Sequence, residues 1–314
     1  MRVMITGGTG FIGSNLTRGL VAEGHEVVAY DSMPTLARVA GLREKVDIVQ
    51  GDIRDLDQLV DTVDKYRINR IMHLAAYLPE AAIRDNPTLA IEHNVLGTNN
   101  IFEAARRTDV LRVVYASTDA VNPLGPKEDA PCKPTTLYGH FKLLNEEMGI
   151  HFHDHFGLDT IGLRFGMNYG VSGRLLAREI ERKYGSAVVA RVIDKVVAGE
   201  SVTVPFHEST SFHWVYAKDN VRAMTLALGA RKTKNRIFSV CGEEVHTLGD
   251  MARVLKRIRP GPEIEFDSAP IPSILRTAEV GFVDCSAARK QLGYTPEYSF
   301  ENGLAAYLDS YEVR

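Results

Sequence analysis

The chain has 314 residues, 45% of them hydrophobic and 25% charged, the composition of a soluble globular protein with ample material for a core. Lys and Arg number 37 against 40 Asp and Glu, a formal net charge of −3, so no basic excess points to nucleic acid or an anionic membrane as a partner. There is no apolar run of about 18 residues to cross a bilayer, and Cys132, Cys241 and Cys285 are isolated and odd in number, which excludes a disulfide framework or a zinc pattern and fits a reducing cytoplasm.

Arg2–Thr6 is a short apolar run, predicted to be the first strand rather than a signal peptide, because Thr6 and glycines interrupt it. Gly7, Gly10 and Gly13 follow at Gly-x-x-Gly-x-x-Gly spacing, then an amphipathic helical stretch, Phe11–Glu23. A strand feeding a helix through glycines leaves free backbone N–H groups at the positive end of the helix dipole, which suits a pyrophosphate. Gly7 serves the turn, Gly10 close approach of the ligand, and Gly13 close packing of helix on strand. The second strand, Glu26–Tyr30, ends at Asp31, 18 positions after Gly13. That is close to the spacing of about 20 expected for an acid that bonds the adenine ribose hydroxyls. A carboxylate there repels a 2′-phosphate, and Ser32, Met33 and Pro34 supply no cation, so the cofactor expected is NAD rather than NADP.

Further strands are predicted at Val46–Gln50, Arg70–Leu74, Leu111–Ala116 and Thr160–Leu163, with helices at Leu56–Lys65, Thr88–Arg107 and Leu137–Phe156. Alternating strand and helix implies an α/β fold, a doubly wound parallel (Rossmann) sheet covered on both faces. After Phe165 the pattern loosens. Strand-like pieces such as Ser201–Pro205 and Arg236–Cys241 alternate with helices, read as a smaller C-terminal substrate-binding lobe. The expected division is 1–165 for the cofactor and 166–314 mainly for the substrate, some segments returning to the first unit.

Tyr138 and Lys142 open a helical pattern four residues apart and so share a face. A tyrosine acts as a general base near neutrality only if its pKa falls from about 10 toward 7, a change of about 4 kcal/mol, and a nearby ammonium favours the phenolate. Ser117 and Thr118 close a predicted strand whose end falls at the same sheet edge.

These segments together resemble the extended short-chain dehydrogenases/reductases, the NAD-dependent epimerase/dehydratase family. Thr6–Gly13 resembles the family's opening motif. Gly51-Asp52-Ile53 resembles the segment that holds the adenine, His73-Leu74-Ala75-Ala76 the fourth-strand motif lining the cofactor, and Asn94–Thr98 the mid-helix signature. The resemblance implies NAD held by Gly7, Gly10, Phe11, Ile12, Gly13, Asp31, Asp52, Ile53, Leu74, Ala75, Ala76, Tyr138 and Lys142. It implies Tyr138 as proton acceptor and donor, Lys142 as the group that lowers its pKa and holds the nicotinamide ribose, and Thr118 as a partner of the substrate oxygen. It also implies a homodimer, paired through the helices at Thr88–Arg107 and Leu137–Phe156.

Two departures bear on substrate. The family's Arg-Asp-(Phe/Tyr)-Val-(His/Tyr)-Val-x-Asp run, whose arginine grips a diphosphate, reads Phe212-His213-Trp214-Val215-Tyr216-Ala217-Lys218-Asp219 here, with Phe212 at the arginine position. After the sixth strand Met167 stands where Asn is usual, with Asn168 shifted by one. Both changes remove a polar grip, although Arg174 or Arg276 could supply the charge. The dehydratase pattern Thr-Asp-Glu ends here as Thr118-Asp119-Ala120, without the glutamate. The expected activity is therefore NAD-dependent oxidation of a secondary alcohol on a small sugar-like substrate, a dehydrogenase whose substrate carries no nucleoside diphosphate. The alternatives are a UDP-hexose 4-epimerase type of enzyme and an NAD(H)-sensing regulator. Thr118, Asp119, Asn168 and Arg174 are the candidate substrate contacts. No metal site is expected: His151 and His155 share a helical face without a carboxylate at ligand spacing. Trp214 reads as packing.

Overall fold

The fold was obtained as a computed structural model, which describes residues 1–78, 80–121, 131–171, 186–242, 244–268 and 283–312. Its centre is a seven-stranded sheet of β1 (Arg2–Thr6), β2 (Glu26–Asp31), β3 (Val46–Gln50), β4 (Arg70–His73), β5 (Arg112–Thr118), β6 (Thr160–Phe165) and β10 (Ile237–Val240). The spatial order is β10-β6-β5-β4-β1-β2-β3 and every neighbouring pair is parallel. The order reverses between β1 and β4, which opens the ligand crevice at their carboxyl ends.

The central strands are buried on both faces, which is why they read as near-continuous apolar runs. On one face α1 (Phe11–Ala22) and α8 (Ala217–Gly229) enclose a core that includes Val3, Ile5, Leu16, Leu20, Met224 and Phe238. On the other, α2 (Leu56–Lys65), α5 (Gly97–Arg107) and α6 (Leu137–Phe156) cover Met4, Tyr30, Ile71, Phe102, Val113 and Tyr115. Two short helices, α3 (Glu80–Asp85) and α4 (Pro87–Ile91), precede α5. The stretch predicted as one helix over Thr88–Arg107 is continuous, but it carries a π turn at Glu92–Leu96 between α4 and α5.

The second lobe has its own core. A small sheet joins β7 (Met167–Tyr169), β9 (Ser211–Tyr216) and β11 (Val245–Thr247) in the order β11-β9-β7, and β8 (Val202–Val204) pairs with β12 (Ile264–Phe266). These strands pack with α7 (Ser186–Val197), α9 (Leu248–Ile258) and α10 (Phe300–Glu312) around Phe212, Trp214, Tyr216, Met251 and Leu304. The segment Arg236–Cys241, read from sequence as part of this lobe, instead forms β10 of the large sheet. Its backbone pairs with β6 from Ile237 opposite Gly162 to Val240 opposite Phe165, because that edge gives a buried strand hydrogen-bond partners. No helix among the described residues is long and apolar enough to cross a membrane.

Candidate active site

The glycine turn is built to receive a phosphate. Gly7 takes a left-handed conformation, φ +67°, and a Cβ on it would lie 3.1 Å from the Ala75 nitrogen at the end of β4. A Cβ on Gly13 would fall 2.0 Å from the Gly7 carbonyl oxygen, so only glycine allows α1 to start against the turn. Gly10 is the N-cap of α1 and offers no side-chain cap. The first N–H groups of the helix thus have no partner within it and face an anion with the helix dipole behind them. Phe11 and Ile12 lie half-buried in this first turn.

Asp31 ends β2 beside the turn. Its Oδ2 accepts from the Thr9 backbone N–H (3.1 Å) and hydroxyl (2.7 Å), and Oδ1 accepts from the Met33 N–H. The carboxylate is thereby fixed at the mouth of the glycine turn with acceptor capacity to spare for a ribose hydroxyl. Asp52 follows β3. Arg54 binds its carboxylate through Nε and through Nη2 at 2.6 Å, and this contact lowers the carboxyl pKa. Ile53 is buried, its carbonyl taking a hydrogen bond from Asn100. Leu74 and Ala75 both donate their N–H groups to the Thr6 hydroxyl at 3.2 Å, which fastens the β4 end to β1; Ala76 continues that wall.

The catalytic helix is defined by local signals. Thr136 caps α6 by accepting the Gly139 N–H, and Gly157 ends it in a left-handed conformation. Tyr138 therefore lies in the first turn, with Lys142 and Glu146 on the same face in the next two turns. Lys142 is 3% exposed. Its Nζ donates to the Ala116 carbonyl at 2.9 Å and lies 5.6 Å from the Tyr138 ring centroid. Burial lowers the Lys142 pKa to about 8, against the pull of Glu146 in the other direction. Burial raises the Tyr138 phenol, and the Asp119 carboxylate adds to the rise. The phenolate needed for base catalysis thus depends on nearby positive charge, which the Lys142 ammonium supplies.

Thr118 stands at the end of β5, two residues beyond the carbonyl that holds Lys142. Its hydroxyl donates to Asp119 Oδ1 at 3.3 Å and accepts the Ala120 N–H at 3.2 Å. The structure therefore gathers Thr118, Asp119, Tyr138 and Lys142 at the carboxyl end of the sheet beside the glycine turn. Asn168, on β7, accepts a hydrogen bond from Asn220 of α8 at its side-chain oxygen. Arg174 and Arg276 lie outside the described residues.

Sequence reasoning missed the polar groups behind the pair. Glu146 accepts from the Ser117 hydroxyl and forms a two-pronged ion pair with Arg164 of β6 (Nε to Oε1 2.8 Å, Nη2 to Oε2 2.6 Å). His73, at the end of β4, bridges Thr6 (2.7 Å) and Thr98 (3.0 Å). Burial, then Lys142, lowers its pKa to about 3, which keeps the imidazole neutral. Asn145 donates to the Asn94 carbonyl in the π turn and to Thr98. His213 faces Asp119 across the lobes (3.4 Å). Its signal lay in the family run, where it occupies the acid's place. His151 and His155 stack with ring centroids 4.3 Å apart, and no group of three or more His, Cys, Asp or Glu side chains that could hold a metal occurs among the described residues. Trp214 is buried against Phe212 and Tyr169, with its indole N–H on the His246 carbonyl.

The family model for the NAD dependent epimerase/dehydratase family matches residues 3–241. The chain belongs to that family. It is 28% identical over 320 residues to the UDP-glucose 4-epimerase of Mycolicibacterium smegmatis, covering 98% of each chain. Among solved structures it is similar to the UDP-glucose 4-epimerase of Thermotoga maritima, determined with UDP-glucose (25% identity, TM-score 0.87, covering 100% of this chain and 99% of the other). It is also similar to that of Thermus thermophilus in complex with NAD (27% identity, TM-score 0.83, 99% of each chain). The chain is thus an NAD-dependent enzyme of the extended short-chain dehydrogenase/reductase type, and the glycine cradle fits that cofactor.

Proposed function

We propose that the chain is a nucleotide-sugar epimerase of the UDP-hexose 4-epimerase kind. The observation that carries this reading is its end-to-end likeness to UDP-glucose 4-epimerases in sequence and fold. This favours the epimerase alternative over the dehydrogenase expected from the missing arginine. The site is consistent with it, since Ala120 in place of a glutamate leaves no base for the elimination that a dehydratase needs.

NAD, when bound, would supply reversible hydride transfer. The chain's own groups handle the proton and the geometry. Tyr138 takes the proton of the secondary hydroxyl and later gives it back. Lys142, nearly all protonated at pH 7 with its pKa near 8, stabilises the phenolate. Thr118 holds the substrate oxygen, and its own position is set by Asp119 and the Ala120 N–H.

A dehydrogenase acting on a substrate without a nucleoside diphosphate is the second reading, and Phe212 favours it. The side chain at the diphosphate-gripping position is apolar, 6% exposed, and packed edge-on against Trp214. Purified protein with UDP-glucose or UDP-galactose separates the two. Interconversion without net NADH is expected, and Tyr138→Phe should slow it by about 10²–10⁴-fold at saturating NAD. Net NADH formation from free sugars, sugar acids or polyols, with neither UDP-hexose turned over, would overturn the epimerase reading.

A further inference from the structure

We infer that His213, held by Asp119, is a specificity-determining residue that accepts a hydrogen bond from a hydroxyl of the substrate's sugar. The inference rests on the reading of the site as one for a hydroxylated sugar.

Alternation along β9 decides where this side chain faces. Phe212, Trp214 and Tyr216 enter the core of the second lobe, so His213 faces the other side, toward the large sheet. The strand comes very close there. A Cβ on Gly166, the residue after β6, would lie 2.1 Å from the His213 carbonyl oxygen. The imidazole therefore sits over the carboxyl ends of β5 and β6, where Thr118 and Asp119 stand.

The Asp119 carboxylate connects His213 to the reacting groups. Oδ1 takes the Thr118 hydroxyl and Oδ2 faces His213 Nδ1 at 3.4 Å. The same carboxylate acts on the Tyr138 phenol. Thr118, Asp119, Tyr138 and His213 thus form one polar cluster spanning both lobes.

The imidazole is only partly engaged. His213 is 2% exposed, and its Nε2 is buried with no hydrogen-bond partner among the described residues. A buried polar atom left in this state is costly, and it is uncommon unless a ligand completes it. In its neutral form an imidazole that gives Nδ1–H to a carboxylate keeps Nε2 as an acceptor. The matching ligand group is a hydroxyl donor, which a sugar ring carries next to its reacting carbon. A site built to bond a hydroxyl discriminates strongly against its absence. The family pattern has an acid at this position, so the imidazole sets this chain's preference apart.

The test uses the full chain with NADH and histidine labelled with ¹⁵N, the His213 signals being assigned by their loss in His213→Leu. UDP-glucose and UDP-galactose are expected to shift the His213 Nε2 resonance, whereas UDP, which lacks the sugar, leaves it in place. In turnover, His213→Leu should lower kcat/KM by about 30-fold or more, mostly through KM, with NAD binding unchanged. His213→Gln, which keeps an acceptor near the Nε2 position, should recover to within about fivefold of wild type. UDP-hexose binding that leaves the imidazole unmoved, or a leucine variant within about threefold of wild type, would overturn the inference and leave the epimerase reading standing. Failure of either UDP-hexose to bind would overturn that reading and this inference with it.

Discussion

Lys142 carries the clearest conflict between stability and function at the scale of one residue. Burial holds its pKa near 8, below the ordinary value of 10.5. Between those pH values the unfolded chain binds more protons than the folded one, so stability rises with pH across that window. Below about pH 8 both states are protonated and the full cost stands, on the order of 3 kcal/mol at 1.36 kcal/mol per pH unit. Lys142→Met keeps the apolar stem but gives up the hydrogen bond to Ala116, worth about 1 kcal/mol. The variant is expected to be about 1–2 kcal/mol more stable than wild type at pH 7, to lose that advantage toward pH 10.5, and to have no measurable turnover. Denaturant titrations at pH 7 and pH 10 check this. A wild type at least as stable as the variant at pH 7 would show that the ammonium is not strained by burial.

Three elements meet at Glu146, which belongs to α6, bonds Ser117 of β5 and pairs with Arg164 of β6. Arg164 and Glu146 are 6% and 2% exposed. A pair this deep is weak support for stability in itself, but breaking it takes the countercharge away from a buried guanidinium. Glu146→Gln should therefore cost about 3–5 kcal/mol of unfolding free energy. The double variant Glu146→Leu with Arg164→Met, which removes both charges, should lie much closer to wild type. Chemical unfolding of the three proteins measures this, and a single variant within about 1 kcal/mol of wild type would refute it. The ion pair sits directly behind Thr118 and Lys142. It ties the end of β5 and β6 to α6, next to the hydrogen bond from Lys142 Nζ to the Ala116 carbonyl.

At the scale of the whole molecule, several large apolar side chains are exposed among the described residues. Leu137 and Leu144 lie seven residues apart on the exposed side of α6, and Ile91 and Leu96 are exposed along the helical run of α4, the π turn and α5. Side chains of this size in line on adjacent helices suit association with a second copy of the chain. Sedimentation equilibrium is expected to give twice the chain mass, and Leu144→Asp to return it toward one. A monomeric wild type at micromolar concentration would refute the pairing.

The opening strand, the glycine turn, Asp31 and the Tyr138–Lys142 pair were legible in the sequence because each depends on short-range chemistry. Glycine spacing determines a turn, an acid at a strand end follows from chain distance, and residues four apart on a helix must share a face. Segment order likewise implied the parallel sheet, since alternating strands and helices have few ways to cover both faces. Tertiary structure alone decided the rest. Arg236–Cys241 became the seventh strand because an unpaired edge beside β6 offered it hydrogen bonds, a fact 70 or more residues away in the chain. The partner of Asn168 proved to be Asn220, 52 positions away, and no spacing rule ranks such polar partners in advance. His213 reached Asp119 across 94 positions, because the alternation of β9 and the bare backbone of Gly166 bring two lobes together. Contacts of that range are set by packing, which single-chain periodicity does not encode.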